Sequence, residues 1–242
     1  MSIPLFLVPS LPTDDTYLLD GPEGHHAATV QRLRIGQPVL LGDGRGGTAT
    51  AEVRAVGRGT LVLTILSRGY QSRPAVLITV VQGIPKGDRG ELAVQAMTEV
   101  GVDGIVPWAA ARSVMRWQGE RGDRARERWV ATAREATKQS RRPWQPEVAA
   151  AASTSAVVER LRTAAGALVL HEEATAALST VDLPERGDLI LVVGPEGGVA
   201  PEELALFESA GAHPVRLGDT VLRTSTAGVA ALAILAVRLG RW

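Results

Sequence analysis

Leu189-Ile190-Leu191-Val192-Val193-Gly194-Pro195-Glu196-Gly197-Gly198 is the stretch that decides the fold class. Its apolar residues run without alternation, which marks a strand buried on both faces, as in a parallel sheet covered by helices. The run ends in a glycine-rich loop. Pro201 then stands where a first helical turn begins, with Glu202 and Glu203 beside the positive end of the helix dipole. Strand, loop and helix in that order define α/β architecture. The same texture extends outward in both directions. Residues 75–81 form another continuous β-branched run, residues 89–100 carry Leu92, Ala96, Glu99 and Val100 at helical spacing, and 105–107 read as a short strand. Residues 124–140 make a basic amphipathic helix, 167–170 and 215–217 further strands, and 226–239 a last helix. That helix is apolar nearly all round, so it requires burial on more than one side. A subunit interface is the simplest expectation, with a core helix of a monomer as the alternative.

Upstream of Ser72, Arg73 and Pro74 the texture is different. Short β runs over 5–8, 39–41, 48–56 and 60–67 are separated by glycine and proline turns, with one short helix over 25–33. This reads as a small β barrel and places a domain boundary between residues 1–73 and 74–242. Gly42, Asp43, Gly44, Arg45, Gly46 and Gly47 fit the G-x-G-x-x-G dinucleotide pattern, but the pattern needs a helix next, and Thr48 to Val53 alternate like a strand. The glycines therefore read as a hairpin turn.

Composition excludes several classes. The 242 residues contain no cysteine, so disulfides, thiolate metal sites and cysteine nucleophiles are ruled out. Hydrophobic residues at 45% and charged residues at 21% match an ordinary globular chain. The first nine residues lack a basic n-region and are broken by Pro4 and Pro9, unlike a signal peptide. The longest apolar run, residues 227–237, is too short to cross a bilayer, which takes roughly 20 residues. A soluble, cytoplasmic protein is expected. His25, His26, His171 and His213 do not form a metal-ligand pattern, so no metal is expected. The net charge of zero conceals ten Lys or Arg against four Asp or Glu between Arg112 and Arg142, a strip able to face phosphates.

Three loops each follow a strand: Leu170, His171 and Glu172; residues 194–198; and Leu217 to Thr226. In open α/β sheets ligands bind outside the carboxyl ends of strands, so three such loops can line one pocket. Gly197 and Gly198, without a Cβ, would leave room for a planar ring.

The order of these segments resembles the bacterial 16S ribosomal RNA uridine-N3 methyltransferases. The resemblance is carried by Lys86-Gly87-Asp88-Arg89-Gly90-Glu91, Thr98-Glu99-Val100-Gly101-Val102, Gln139-Ser140-Arg141-Arg142, Gly194-Pro195-Glu196-Gly197-Gly198 and Leu222-Arg223-Thr224-Ser225-Thr226-Ala227. It implies an N-terminal PUA-like RNA-binding barrel and a C-terminal SPOUT α/β domain with a trefoil knot. It further implies a homodimer, S-adenosyl-L-methionine as methyl donor, and 16S rRNA of the small ribosomal subunit as partner. Carried over by position, the donor would be held by Leu170, His171, Gly194, Glu196, Gly197 and Gly198, and by Leu217, Gly218, Leu222, Thr224, Ser225 and Thr226. RNA would meet Arg32, Arg34, Lys86, Arg112, Arg141 and Arg142. Three positions depart from the family's usual residues: Ser225 for a common glutamate, Ala200 for a helix-capping serine, and Pro4 for an arginine.

The chemistry agrees with the composition. Methylation at carbon 5 of uracil normally needs a cysteine adduct, whereas attack by a ring nitrogen on a methyl donor is a direct displacement that depends on positioning and proton removal. Arg223 is the candidate cation near the uracil carbonyls, with a salt bridge or phosphate clamp as its alternative role. The competing readings are a non-catalytic RNA-binding or ribosome-assembly protein and a SPOUT enzyme acting on another RNA.

Overall fold

The computed structural model describes residues 3–242, so Met1 and Ser2, at the head of the stretch read for a signal peptide, lie outside the described residues. The chain divides into two compact units, one holding residues up to Arg73 together with Thr137–Gln145, the other Pro74–Ala136 and Pro146–Trp242. A single cut between 73 and 74 misses the Thr137–Gln145 excursion. Helical periodicity runs on through residue 140, so no local signal marks it.

The first unit contains β1 (Leu5–Leu7), β2 (Thr16–Leu19), α1 (Gly21–His25) continued by a π turn (His26–Val30), β3 (Pro38–Gly42), β4 (Gly47–Gly57) and β5 (Thr60–Tyr70). Its sheet runs β1-β3-β4-β5-β2, with β1 parallel to β3 and the other pairs antiparallel. Alternation along β4 buries Ala49, Ala51 and Val53 against Phe6, Leu41, Leu61 and Leu63. β1 and β2 are the two edges and do not pair, so strand pairing does not close the expected barrel among the described residues. Asp43 makes the glycine-rich hairpin by accepting the N–H groups of Arg45 at 2.7 Å and Gly47 at 3.0 Å. The Thr137–Gln145 segment is held in this unit by Lys138, whose Nζ lies 3.1 Å from Glu23 with both side chains largely buried, and by Trp144, whose Nε1 donates to the Gln71 carbonyl.

The second unit contains β6 (Val76–Gly83), α2 (Arg89–Val100), β7 (Gly104–Trp108), most of α3 (Gly119–Ser140), β8 (Glu147–Val148), α4 (Thr154–Thr163), β9 (Gly166–Leu170), β10 (Gly187–Val193), α5 (Pro201–Ser209), β11 (His213–Val215) and α6 (Thr224–Arg238). All its strands are parallel, in the order β11-β9-β10-β6-β7-β8. The uninterrupted apolar run of β10 serves two cores. Leu189, Leu191 and Val193 face one that also contains Ala231, Leu232 and Leu235 of α6, and Ile190 and Val192 face the other, with Val157 and Phe207. The chain progresses outward from β6 in one direction and places β10 on β6's other side. The β6–β10 boundary is thus a topological switch point, where crevices form at strand C-termini.

α6 corrects one expectation. Leu232 and Leu235 are 1% and 0% exposed within the chain's own core, so they are not free to form a subunit seam. Each fully buried leucine contributes about 1.5–3 kcal/mol of burial, so α6 is anchored in the unit by these two side chains. Gly228 permits it, since a Cβ there would lie 2.8 Å from Met97 Sδ on α2. Past α6, Arg241 secures the C-terminus by pairing with Asp103 at 2.7 Å and donating to the carbonyls of Gly101 and Val76. The sequence reading did not identify β2, β8 and α4. α4 did have a local signal, Ser153, whose hydroxyl accepts the Ala156 N–H at its N-terminus.

Candidate active site

Loops after β9, β10 and β11 line one cleft of about 600 Å³ at the carboxyl end of the parallel sheet. It gathers Leu170, His171, Gly194, Glu196, Gly197 and Gly198 with Leu217, Gly218, Leu222, Arg223 and Thr224. Ser225 and Thr226 are not on its wall. Ser225 is buried in the first turn of α6, and the Thr226 hydroxyl donates to the Arg223 carbonyl at 3.2 Å. Glu172 and Asp219 line it too, within the loops expected to do so, whereas Arg89 and Arg216 line the cleft without having been expected there from sequence.

Beneath the cleft three segments meet closely. A Cβ on Gly83, at the end of β6, would lie 2.5 Å from the Pro195 nitrogen, so only glycine lets the two strand ends come together. Beside it, buried Gln82 donates through Nε2 to Thr224 Oγ1 at 2.9 Å, and Thr224 donates to the Gly194 carbonyl at 2.7 Å. This relay joins β6, the 194–198 loop and the start of α6. Gln82 Oε1 is buried with no partner among the described residues. Gln82 had no sequence signal, because its partner lies 142 residues away.

Glu196 acts as a strut. Its Oε1 accepts the Lys86 N–H at 3.1 Å and the Arg89 guanidinium at 2.9 Å. Burial works to raise its pKa, but hydrogen bonds from its own N–H, Lys86 and Arg89, together with the Arg89 charge, outweigh burial and hold it below the ordinary carboxylate value. A carboxylate so committed is a poor proton acceptor at neutral pH.

The two glycines have reasons other than ring clearance. A Cβ on Gly197 would lie 3.0 Å from Arg112 Cβ, and Arg112 Nη1 donates to the Gly197 carbonyl at 3.0 Å. Gly198 has φ 72°, a left-handed conformation that L side chains rarely adopt. Ala200 has no side-chain acceptor for α5. Buried Glu203 compensates in part by accepting the Ala200 N–H at 3.3 Å, and it also accepts from Ala111 N and Thr154 Oγ1, both at 2.8 Å.

On the opposite wall, residues 217–223 form no regular structure, and their N–H groups have no acceptor among the described residues. Gly218 has no atom within 4 Å of where a Cβ would sit. Arg223 occupies the N-cap position of α6 with an exposed side chain and has no carboxylate partner among the described residues, so the salt-bridge alternative is not realised.

The cationic candidates divide between the units. Lys86 and Arg112 belong to the unit carrying the cleft, and Arg32, Arg34, Arg141 and Arg142 to the other. Arg32 and Arg141 both have φ 53°, uncommon for residues with a Cβ. The basic helix is less available than its charge suggests. Arg124 and Arg128 pair with Glu120 and Glu91, and Arg126 donates to the Val148 and Ala149 carbonyls. Among the described residues no cluster of His, Asp or Glu suits a metal ion, and no helix is long and apolar enough to cross a membrane.

A glycine-walled cleft at the carboxyl end of a parallel sheet, on a chain that also carries a separate β unit, agrees with the class that the family matches define, the RNA methyltransferases. The family described as RNA methyltransferase domain matches residues 72–236, and RNA methyltransferase PUA domain matches residues 19–66. More narrowly, the chain belongs to the ribosomal RNA small subunit methyltransferase E family. It is 48% identical to the protein of that name from Mycobacterium tuberculosis, covering 98% of this chain and 93% of the relative. The Bacillus subtilis protein of that name is 29% identical, over 91% and 89% of the two chains. Among solved structures, ribosomal RNA small subunit methyltransferase E from Neisseria gonorrhoeae, bound to S-adenosyl methionine, superposes with a TM-score of 0.85 at 27% identity, covering 98% of each chain.

Proposed function

We propose that this protein transfers the methyl group of S-adenosylmethionine to N3 of a uridine in 16S rRNA of the small ribosomal subunit. The observation that carries the reading is the unsatisfied wall at residues 217–223, ending in unpartnered Arg223 and facing the glycine loop across the cleft. These peptide groups are mostly exposed and uncommitted among the described residues, and a nucleoside ligand supplies acceptors for such N–H groups. A volume of about 600 Å³ is ample for the donor. Leu170, Leu217 and Leu222 offer apolar surface to an adenine, and Gly194 and Gly218 allow close backbone approach. When bound, the donor supplies an electrophilic methyl group. Arg223 then holds the uracil carbonyls and favours the N3-deprotonated form, while Glu196 keeps the 194–198 loop in place through Arg89 and Lys86.

The same reading includes a PUA-like barrel that binds RNA through Arg32, Arg34, Arg141 and Arg142, a C-terminal SPOUT domain whose last segment is knotted, and a cytoplasmic homodimer. With Leu232 and Leu235 committed to the core, the exposed apolar side chains left for a dimer face on α2, on α6 and at the C-terminus are Leu92, Val237 and Trp242. The decisive experiment is mass-spectrometric mapping of modified uridines in rRNA from cells lacking the protein, together with a calorimetric titration of S-adenosylmethionine. Loss of one N3-methyluridine and donor binding at one site per chain are expected. Unchanged rRNA modification with normal donor binding would point to another RNA. Absent donor binding would leave a non-catalytic assembly factor.

A further inference from the structure

The loop at residues 109–117, between β7 and α3, is fixed at both ends and exposed in the middle. At its front, the Ala111 N–H is bound by buried Glu203, and Arg112 is bound to the Gly197 carbonyl of the cleft wall. At its rear, Trp117 stands edge-on against buried Trp129, with ring centroids 4.8 Å apart. Ser113 is buried just behind the tip, and its hydroxyl has no partner among the described residues. Between the anchors, Val114 is 70% exposed and Met115 39%. Arg116 follows. It and Arg121 have no carboxylate partner among the described residues, whereas the arginines further along α3 are engaged. Arg116 thus leaves part of the basic segment's uncommitted positive charge at this finger, with Arg121 close behind it on α3.

An apolar tip between arginines suits a partner with flat apolar faces on an anionic backbone. A base whose ring nitrogen is to be methylated must leave its stack, and the gap or the neighbouring base must then be supported. Met, Leu or Ile side chains insert between base steps and unstack them in other nucleic-acid complexes. Through Arg112, the finger is in direct contact with the wall of the cleft. We propose that loop 109–117 is an RNA wedge: Val114 and Met115 pack on the base beside the target nucleotide, and Arg112 and Arg116 face the flanking phosphates. This rests on the RNA methyltransferase reading above.

The test compares the unaltered protein with the double variant Val114→Ser/Met115→Ser on small ribosomal subunits. Burying a valine and a methionine side chain against a base is worth enough that KM for the RNA substrate should rise about tenfold or more. Donor affinity by calorimetry and sedimentation should be unchanged, and Met115→Leu alone should remain close to the unaltered protein. A double variant with unaltered KM and kcat would overturn the wedge. Loss of donor affinity would instead make the loop a support of the cleft, and altered sedimentation with normal KM would assign the tip to a second copy; either result also overturns it. Failure of the unaltered protein to methylate rRNA would remove the functional reading itself, a result distinct from all of these.

Discussion

The two long walls of the cleft are built in opposite ways. Residues 194–198 are held from every side: Gly83 presses against Pro195, Thr224 binds the Gly194 carbonyl, Arg89 and Lys86 hold Glu196, and Arg112 binds Gly197. Residues 217–223 have almost no such bonds, and Val221 is 79% exposed. A wall satisfied by its own protein is preformed, whereas a wall with idle N–H groups is completed by what it binds. Substitutions in the first should therefore register as stability, and those in the second as binding or turnover.

Gly83→Ala should have the largest effect. The added methyl group meets backbone, so about 1–3 kcal/mol of stability should be lost in chemical denaturation, and donor affinity should fall with it. A variant as stable as the parent would show that the close approach at Pro195 is not needed. Arg223→Ala belongs to the other wall, and its unfolding midpoint should not move. Methyl transfer should drop about 100-fold at saturating substrates, an amount typical of a lost charge-stabilising group. A fall in stability with normal turnover would reverse the assignment.

The valine pair gives a direct comparison of the walls. Gly218→Val has open space around it, so stability should change by less than about 0.5 kcal/mol while donor affinity falls about tenfold. Gly197→Val meets Arg112, so it should lose stability and affinity together. If the two variants behave alike, the contrast between the walls is wrong. The smallest effect concerns pH. The folded pKa of Glu196 lies below its unfolded value, so its contribution is complete above the unfolded value of about 4.3 and is lost as pH falls through the folded one. Glu196→Gln should flatten the decline of Tm on the acid side of that value and leave Tm near neutrality almost unchanged, as expected for a partly exposed pair. An unaltered acid limb would mean that the strut carries no net stabilisation.

Much of this was legible in the sequence because it is local. The unbroken apolar run of β10, the alternation of β4, Pro201 at a helix start and the strand after Gly47 each follow from neighbours in the chain. The three cleft loops were legible for the same reason, since each follows a strand. The short edge strand β2 was not, because only Leu19 of its four residues is buried and no alternation results. β8, with two residues, is too short for any period. What covers Leu232 and Leu235 of α6 was not legible for a different reason: an all-round apolar helix shows that it must be covered but does not show by what.

By itself the sequence determined which segments are strands or helices, that one sheet is parallel and covered on both faces, and that glycine-rich loops sit at its carboxyl end. These properties depend on side-chain periodicity and backbone preference, which act over a few residues. Only the tertiary structure decided that Gln82 reaches Thr224, that Glu196 is occupied by Arg89, that Gly197 lies close against Arg112, and that the Arg223 side chain has no carboxylate partner among the described residues. Those depend on which distant side chains arrive at the same point, and packing of the helices on both faces of the sheet decides that.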